Sequence, residues 1–169
     1  FEEINDLEAV SRKLNRKLNV GIRINLDAGI YPQWSRFGFN YENGQALDAV
    51  ARIKAGGRLE LNGLHCHIGT FILDPSAYSR AVDKLLRFAK NFKESYGFKL
   101  EYLDLGGGFA SRNRLRGLYQ APEVVVPDVE AYAESLCGAL LRGVDADEPP
   151  ALYLESGRHL IDHAGYLIT

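Results

Sequence analysis

Methionine is absent from these 169 residues, tryptophan occurs once and cysteine only twice. The two cysteines, Cys66 and Cys137, share no CxxC spacing, so they are expected to be reduced thiols of a cytoplasmic protein rather than part of a disulfide framework. An excess of charge is lacking too: a net charge of −2 gives no hint of a nucleic-acid partner or a strongly charged surface. No apolar run is long enough to cross a bilayer, and no charged-then-apolar leader opens the chain, so neither a membrane span nor a secretory signal is expected. The chain begins at Phe1 within a helical pattern, which predicts a processed or truncated product. What is present is ordinary for a globular protein, with 46% hydrophobic and 25% charged residues, enough for one domain.

Periodicity divides the chain into alternating helices and strands. Leu7, Val10, Leu14 and Leu18 recur at helical spacing. Residues 20–26 alternate apolar and polar and predict a strand, followed by a polar, aromatic-rich loop over 27–39. Asn43 is placed to cap a helix reaching about Lys54, ended by Gly56 and Gly57. Residues 59–68 predict a second strand. Asp74 and Pro75 then open a long helix with Tyr78, Val82, Leu85, Leu86, Ala89 and Phe92 on one face. A third strand over 99–105 ends in three glycines. Residues 111–127 carry two prolines and form a long loop, and Asp128 caps a helix to about Leu141. The acidic stretch 145–150 leads to a fourth strand at 152–155, and 163–169 predict a fifth. This alternation indicates parallel βαβ units, either a small doubly wound sheet or a piece of a barrel.

Three short motifs each stand at the C-terminal end of a predicted parallel strand, where α/β folds place ligands. In the run GLHCHIGT (63–70), His65 and His67 point to the same face, because side chains alternate along a strand. Such a pair could hold a metal, stack on an aromatic ligand, or be hydrogen-bonded core histidines. In LDLGGGF (103–109), Gly106, Gly107 and Gly108 allow close backbone approach to a phosphate, or form a simple turn. No Gly-Lys-Ser/Thr follows, which excludes a Walker A loop, and Ser111 stands where a third dinucleotide-fingerprint glycine would be. In ESGR (155–158), Glu155 and Arg158 could bind opposite ends of a zwitterion or form a surface ion pair.

Taken in order and spacing, GLHCHIGT, LDLGGGF and ESGRHLIDHAGYLIT resemble the signatures of the fold-type III pyridoxal-phosphate decarboxylases, as do IRINLDAG and SRFGF upstream. The His-Cys-His form is more similar to the diaminopimelate branch of that family than to the ornithine branch. The resemblance implies an α/β fold, part of a (β/α)8 barrel of the alanine racemase-like type, with residues 1–169 forming about its second half. It implies pyridoxal 5'-phosphate as cofactor and no metal. His67 would stack on the pyridine ring, Thr70 would stand near the phosphate, and Gly106, Gly107 and Gly108 would wrap it with N–H groups. Arg158, after Gly157, would assist at the phosphate. Glu155 would bind the protonated ring nitrogen, whose pKa an adjacent carboxylate raises. A protonated ring is the better electron sink for the carbanion left when carbon dioxide departs. Arg23, His65 and Asp104 would stand behind these groups, with a structural ion pair as the alternative for Arg23.

The sequence departs from the family at Ser156, where the family reads proline, and at Thr70, where serine is usual; both changes keep the charged groups and the hydroxyl. The family's cofactor-linking lysine lies on an earlier barrel strand, and its C-terminal β-domain contributes a cysteine and a tyrosine across a homodimer interface. Both are expected to lie outside these residues, so the chain alone is expected to be inactive. The implied activity is amino-acid decarboxylation, with meso-diaminopimelate, from lysine biosynthesis, as the leading substrate. Two rivals stand beside it. A metal-dependent hydrolase barrel would use His65 and His67, with His159 and His163 as further ligands, and a non-catalytic relative would have kept only the barrel.

Overall fold

A computed structural model describes residues 1–113, 119–145, 147–162 and 164–165. Along the chain run α1 (Glu2–Lys13), β1 (Leu18–Asn25), β2 (Phe39–Asn40), α2 (Gln45–Gly56), β3 (Leu59–His65), α3 (Ser76–Tyr96), β4 (Tyr102–Asp104), α4 (Pro122–Val125), α5 (Val129–Gly143), β5 (Ala151–Tyr153) and α6 (Arg158–Ile161). The strands form one sheet in the order β2-β1-β3-β4-β5, and every pairing is parallel.

Strand register decides which side chains meet. Ile22 is opposite Leu64, Leu64 opposite Leu103, and Leu103 opposite Leu152. One residue further along, Arg23, His65, Asp104 and Tyr153 form the adjacent row. Successive side chains point to opposite faces, so these rows lie on opposite sides of the sheet. Ile22, Ile24, Leu64, Cys66, Leu103 and Leu105 are buried, in one apolar cluster with Val50 and Ile53 of α2, Val82 and Leu85 of α3, and Leu136 of α5. The helices therefore cover the apolar face, and Arg23, His65, His67 and Asp104 share the other.

The long helix follows the sequence reading closely. All six residues of its expected apolar face are buried in α3. Asp74 Oδ1 accepts from the Ser76 N–H at 2.9 Å at the start, and Gly97, at φ 67°, ends the helix. Asp128 caps α5 by accepting from the Ala131 N–H at 2.9 Å.

Other expectations are corrected. The first helix ends at Lys13, and Leu18 opens β1 instead of continuing the stripe. Its buried residues are Ile4, Glu8 and Ser11, whereas Leu7, Val10 and Leu14 are exposed. Glu8 tolerates burial because Arg52 grips both its carboxylate oxygens, at 2.9 and 3.1 Å. The loop before α2 contains a two-residue strand, β2, paired with the end of β1. Gly44 rather than Asn43 occupies the α2 cap position, although Asn43 Oδ1 accepts from the Gln45 N–H at 3.1 Å. The strands expected at 99–105 and 152–155 are β4 and β5, each only three residues long. A short helix, α4, interrupts the segment 111–127 expected to be a loop, and another, α6, opens at Arg158 of the ESGR motif. The expected strand at 163–169 lies almost entirely outside the described residues, as do His163 and the middle of the 111–127 loop.

Among the described residues no helix is long and apolar enough to cross a membrane. Leu85 is fully enclosed while Val124 is 78% exposed. Leu85→Ala should therefore lower stability by about 2–5 kcal/mol, and Val124→Ala by no more than ~0.5 kcal/mol, as read from urea denaturation midpoints.

Candidate functional site

The polar row at the C-terminal strand ends is gathered by the glycine turn after β4. A Cβ on Gly107 would stand 2.3 Å from the Glu155 carbonyl oxygen, so only glycine lets these backbones approach. Gly108 combines φ +94° with a Cβ position 2.2 Å from the Gly69 carbonyl oxygen. The turn thus touches the chain after β3 on one side and the chain after β5 on the other. Hydrogen bonds fix both contacts. The Glu155 N–H donates to Gly106 O at 2.8 Å, and the Ile72 N–H donates to Gly108 O at 2.8 Å.

His67 is held by the same turn. The Gly107 N–H donates to its Nδ1 at 3.2 Å, which leaves Nε2 to carry the proton of a neutral imidazole. Burial lowers its pKa first, and the Arg23 cation lowers it further, while Glu155 and Asp104 pull the other way. The ring is therefore neutral at pH 7. Cys66, between the two histidines but on the opposite face, has its thiol pushed up to about 12 by burial and by Asp104. It is a packing residue.

His65 stands apart from its neighbour in the motif. One of its ring nitrogens and carboxylate oxygens of Asp104 and Glu155 all lie within 4.8 Å of one another. The sequence pairing of His65 with His67 is thus replaced by a pairing of His65 with two carboxylates. His159, a further ligand in the hydrolase reading, is occupied elsewhere, its Nδ1 lying 2.9 Å from Ala110 O. Arg23 Nε and His65 Nε2 are both buried without a hydrogen-bond partner among the described residues.

The expected phosphate corner is partly assembled. The Gly106 N–H is taken by Asp104 Oδ1 at 2.9 Å and the Gly107 N–H by His67, which leaves the Gly108 N–H as the one of the three with no partner among the described residues. Thr70 is exposed at the turn after β3, next to Phe71 at φ +56°. The Arg158 guanidinium lies over the Phe71 ring, 5.7 Å from its centroid, which brings it from α6 to the neighbour of Thr70. Gly157 occupies the position before α6, with no atom within 4 Å of where its Cβ would be.

Sequence reasoning missed two sets of residues. The first braces the glycine turn from behind. Tyr78 Oη donates to Gly107 O at 2.9 Å, its ring stacks on Phe109 at 4.9 Å, and Tyr132 packs edge-on against both. The Tyr132 hydroxyl also donates to Ile72 O. Burial raises the pKa of both hydroxyls, so they remain donors. Tyr78 was legible as core, and only the fold shows its tip at the turn. The second is Trp34, whose ring meets His67 edge-on at 5.8 Å. A lone tryptophan in a polar loop was the available signal.

Residues 1–162 match the model of the family described as pyridoxal-dependent decarboxylase, pyridoxal binding domain. The diaminopimelate decarboxylase of Aquifex aeolicus is 33% identical over 177 residues, covering 99% of this chain and 38% of that protein. That of Bacillus subtilis is 31% identical, covering 98% and 38%. The crystal structure of the enzyme from M. jannaschii superimposes with a TM-score of 0.76 at 26% identity, over 94% of this chain and 37% of that one. The Helicobacter pylori enzyme in complex with L-lysine gives 0.69 at 26% identity, over 94% and 38%. The chain thus spans about two-fifths of the length of these curated relatives.

Two measurements check this electrostatic picture. An NMR titration of His67 should give a midpoint below its ordinary 6.5. Arg23→Gln should raise that midpoint by removing a cation, and Glu155→Gln should lower it further by removing an anion. Cys66 should resist iodoacetamide at mildly alkaline pH until the protein is unfolded.

Proposed function

Because this chain belongs to the pyridoxal-dependent decarboxylases, as a pyridoxal-binding part of a (β/α)8 barrel, we propose that the whole protein decarboxylates an amino acid with pyridoxal phosphate. The observation that carries the reading is the convergence of His67, the Gly106–Gly108 turn and Glu155 on one face of the sheet, tied by the hydrogen bonds Gly107 N–H to His67 and Glu155 N–H to Gly106.

The residues present fit the cofactor. The glycine turn leaves no room for side chains and offers, at Gly108, an N–H with no partner among the described residues. Buried polar atoms of Arg23 and His65 on this same face lack partners among the described residues. A carboxylate, a neutral imidazole, a hydroxyl and a guanidinium complete a donor and acceptor set suited to an aromatic ring with a phosphate.

In this reading the Glu155 carboxylate holds a proton on the ring nitrogen, with His65 and Asp104 behind it. His67 presents its flat face to the ring and, being neutral, does not oppose that positive charge. Thr70, the Gly108 N–H and Arg158 bind the phosphate, with Gly157 keeping the approach to Arg158 open. When bound, the cofactor supplies the electron sink that accepts the pair left behind as carbon dioxide leaves the substrate α-carbon. The turn, braced by Tyr78 and Tyr132, keeps the phosphate end fixed and so orients the ring.

We infer meso-diaminopimelate as the substrate, supported by relatives that carry the name diaminopimelate decarboxylase. Lys13, Lys17, Lys54, Lys84, Lys90, Lys93 and Lys99 are absent from the residues gathered here, so the cofactor-linking lysine is inferred to come from another part of the protein. A cytoplasmic location is inferred from two free thiols, and a homodimer from the family pattern.

The full-length protein should show a cofactor absorption band and release carbon dioxide from meso-diaminopimelate in preference to ornithine, whereas the 169-residue chain alone should release none. His67→Ala, Glu155→Ala and Arg158→Ala should each weaken cofactor binding by about tenfold or more, the worth of a lost charged or stacking contact, with the far-UV circular dichroism unchanged. Unchanged affinity in all three would overturn the assignment of roles.

A further inference from the structure

Trp34 is the only tryptophan of the chain and lies in the loop between β1 and β2. That loop is tied down at its base and at its tip. Asn25, the last residue of β1 and itself only 7% exposed, donates from Nδ2 to Trp34 O at 2.9 Å. Its Oδ1 accepts from Gln33 Nε2 at 3.3 Å, so one amide side chain clamps two successive loop residues. At the loop's start, Arg80 donates to Ala28 O and Lys84 to Asp27 O, both at 2.7 Å. The indole held in this way meets the His67 ring at 5.8 Å with an interplanar angle of 70°. The Arg36 guanidinium lies over the indole, 5.5 Å from the ring centroid.

Among the described residues His67 otherwise has one hydrogen bond at its ring, from the Gly107 N–H to Nδ1. A single bond of 3.2 Å directs one nitrogen but leaves the tilt of the imidazole plane adjustable. An aromatic edge set against the ring removes that freedom. The indole also carries a buried Nε1 with no hydrogen-bond partner among the described residues. An orphaned donor of this kind is costly to bury unless something else accepts from it. Arg23 Nε and His65 Nε2, on the face that carries His67, are likewise without a partner among the described residues.

We propose that Trp34 is a positioning residue of the cofactor cleft: its edge sets the plane in which His67 stacks, and its indole N–H donates to an acceptor of the bound ligand. This rests on the pyridoxal-phosphate reading above. A phenylalanine at this position keeps an aromatic edge and loses the donor, while an alanine loses both, so the two parts separate.

The test uses the full-length protein loaded with pyridoxal phosphate, measuring the dissociation constant by equilibrium dialysis and the visible circular dichroism of the bound cofactor, which reports its fixed orientation. Trp34→Ala should weaken binding by about tenfold and flatten the visible signal, the effect expected when an aromatic contact and a donor are both lost. Trp34→Phe should restore the visible signal while keeping a deficit of about threefold in affinity from the missing donor. His67→Ala is the control. If it weakens binding while both Trp34 variants match the parent in affinity and visible signal, the proposal is overturned and the cofactor reading stands. If His67→Ala and Glu155→Ala also match the parent, the cofactor reading itself has failed. Should Trp34→Ala not fold, Trp34→Phe and Trp34→Leu decide: the visible signal must survive in the first and be lost in the second.

Discussion

The missing Cβ atoms at residues 106–108 are the constraint on which the site depends. Parallel strands lie about 4.8 Å apart, and their ends diverge unless the connecting backbone is allowed into van der Waals contact. Here it is: Gly107 packs on the Glu155 carbonyl and Gly108 on that of Gly69. Once this contact is made, Glu155, His67 and the segment carrying Thr70 follow, because each is within two residues of a hydrogen bond to the turn. The aromatic group of Tyr78, Phe109 and Tyr132 fills the space behind and leaves the turn little freedom to open.

Electrostatics then act on groups the backbone has already placed. The row Arg23, His65, Asp104 crosses three strands at one level, so a cation, an imidazole and an anion lie side by side. Glu155 joins them from the strand end. His67, one step above, is kept neutral by burial and by Arg23, against the pull of both carboxylates. The face therefore carries its negative charge at Glu155 and Asp104 and keeps a flat, uncharged ring nearby. That separation suits a ligand that is cationic at a ring nitrogen and anionic at a phosphate.

The parts of this arrangement set by local rules could be read from the chain. The six apolar residues of α3, the Asp128 cap and the alternation of α1, β1, α2, β3, α3, β4, α5 and β5 all follow from period and capping chemistry. So does the shared face of His65 and His67. Features that depend on contacts between distant residues could not be read. The stripe of Leu7, Val10 and Leu14 is a sound helical pattern, yet the face that packs is Ile4, Glu8 and Ser11, because Arg52 from α2 neutralises a buried carboxylate. The partner of His65 is another such case. Two histidines at i and i+2 invite pairing in sequence, but register across the sheet gives His65 to Asp104 and the glycine turn gives His67 to Gly107. The short strands β4 and β5 illustrate the same limit, since pairing ends where the neighbouring strand does.

β4 contributes only Tyr102, Leu103 and Asp104 to the sheet, and these three alternate between the two faces. Its register therefore governs both halves of the protein at once. A one-residue slip of β4 against β3 would turn Asp104 toward the helices and Leu103 toward the cleft, placing a bare carboxylate in oil and an oily group at the ligand. Residues added between Phe98 and Glu101 lie in the connection before β4 and can be taken up there without such a slip. Burial of Leu103 therefore holds the strand in place, while the span before it stays free to vary in length.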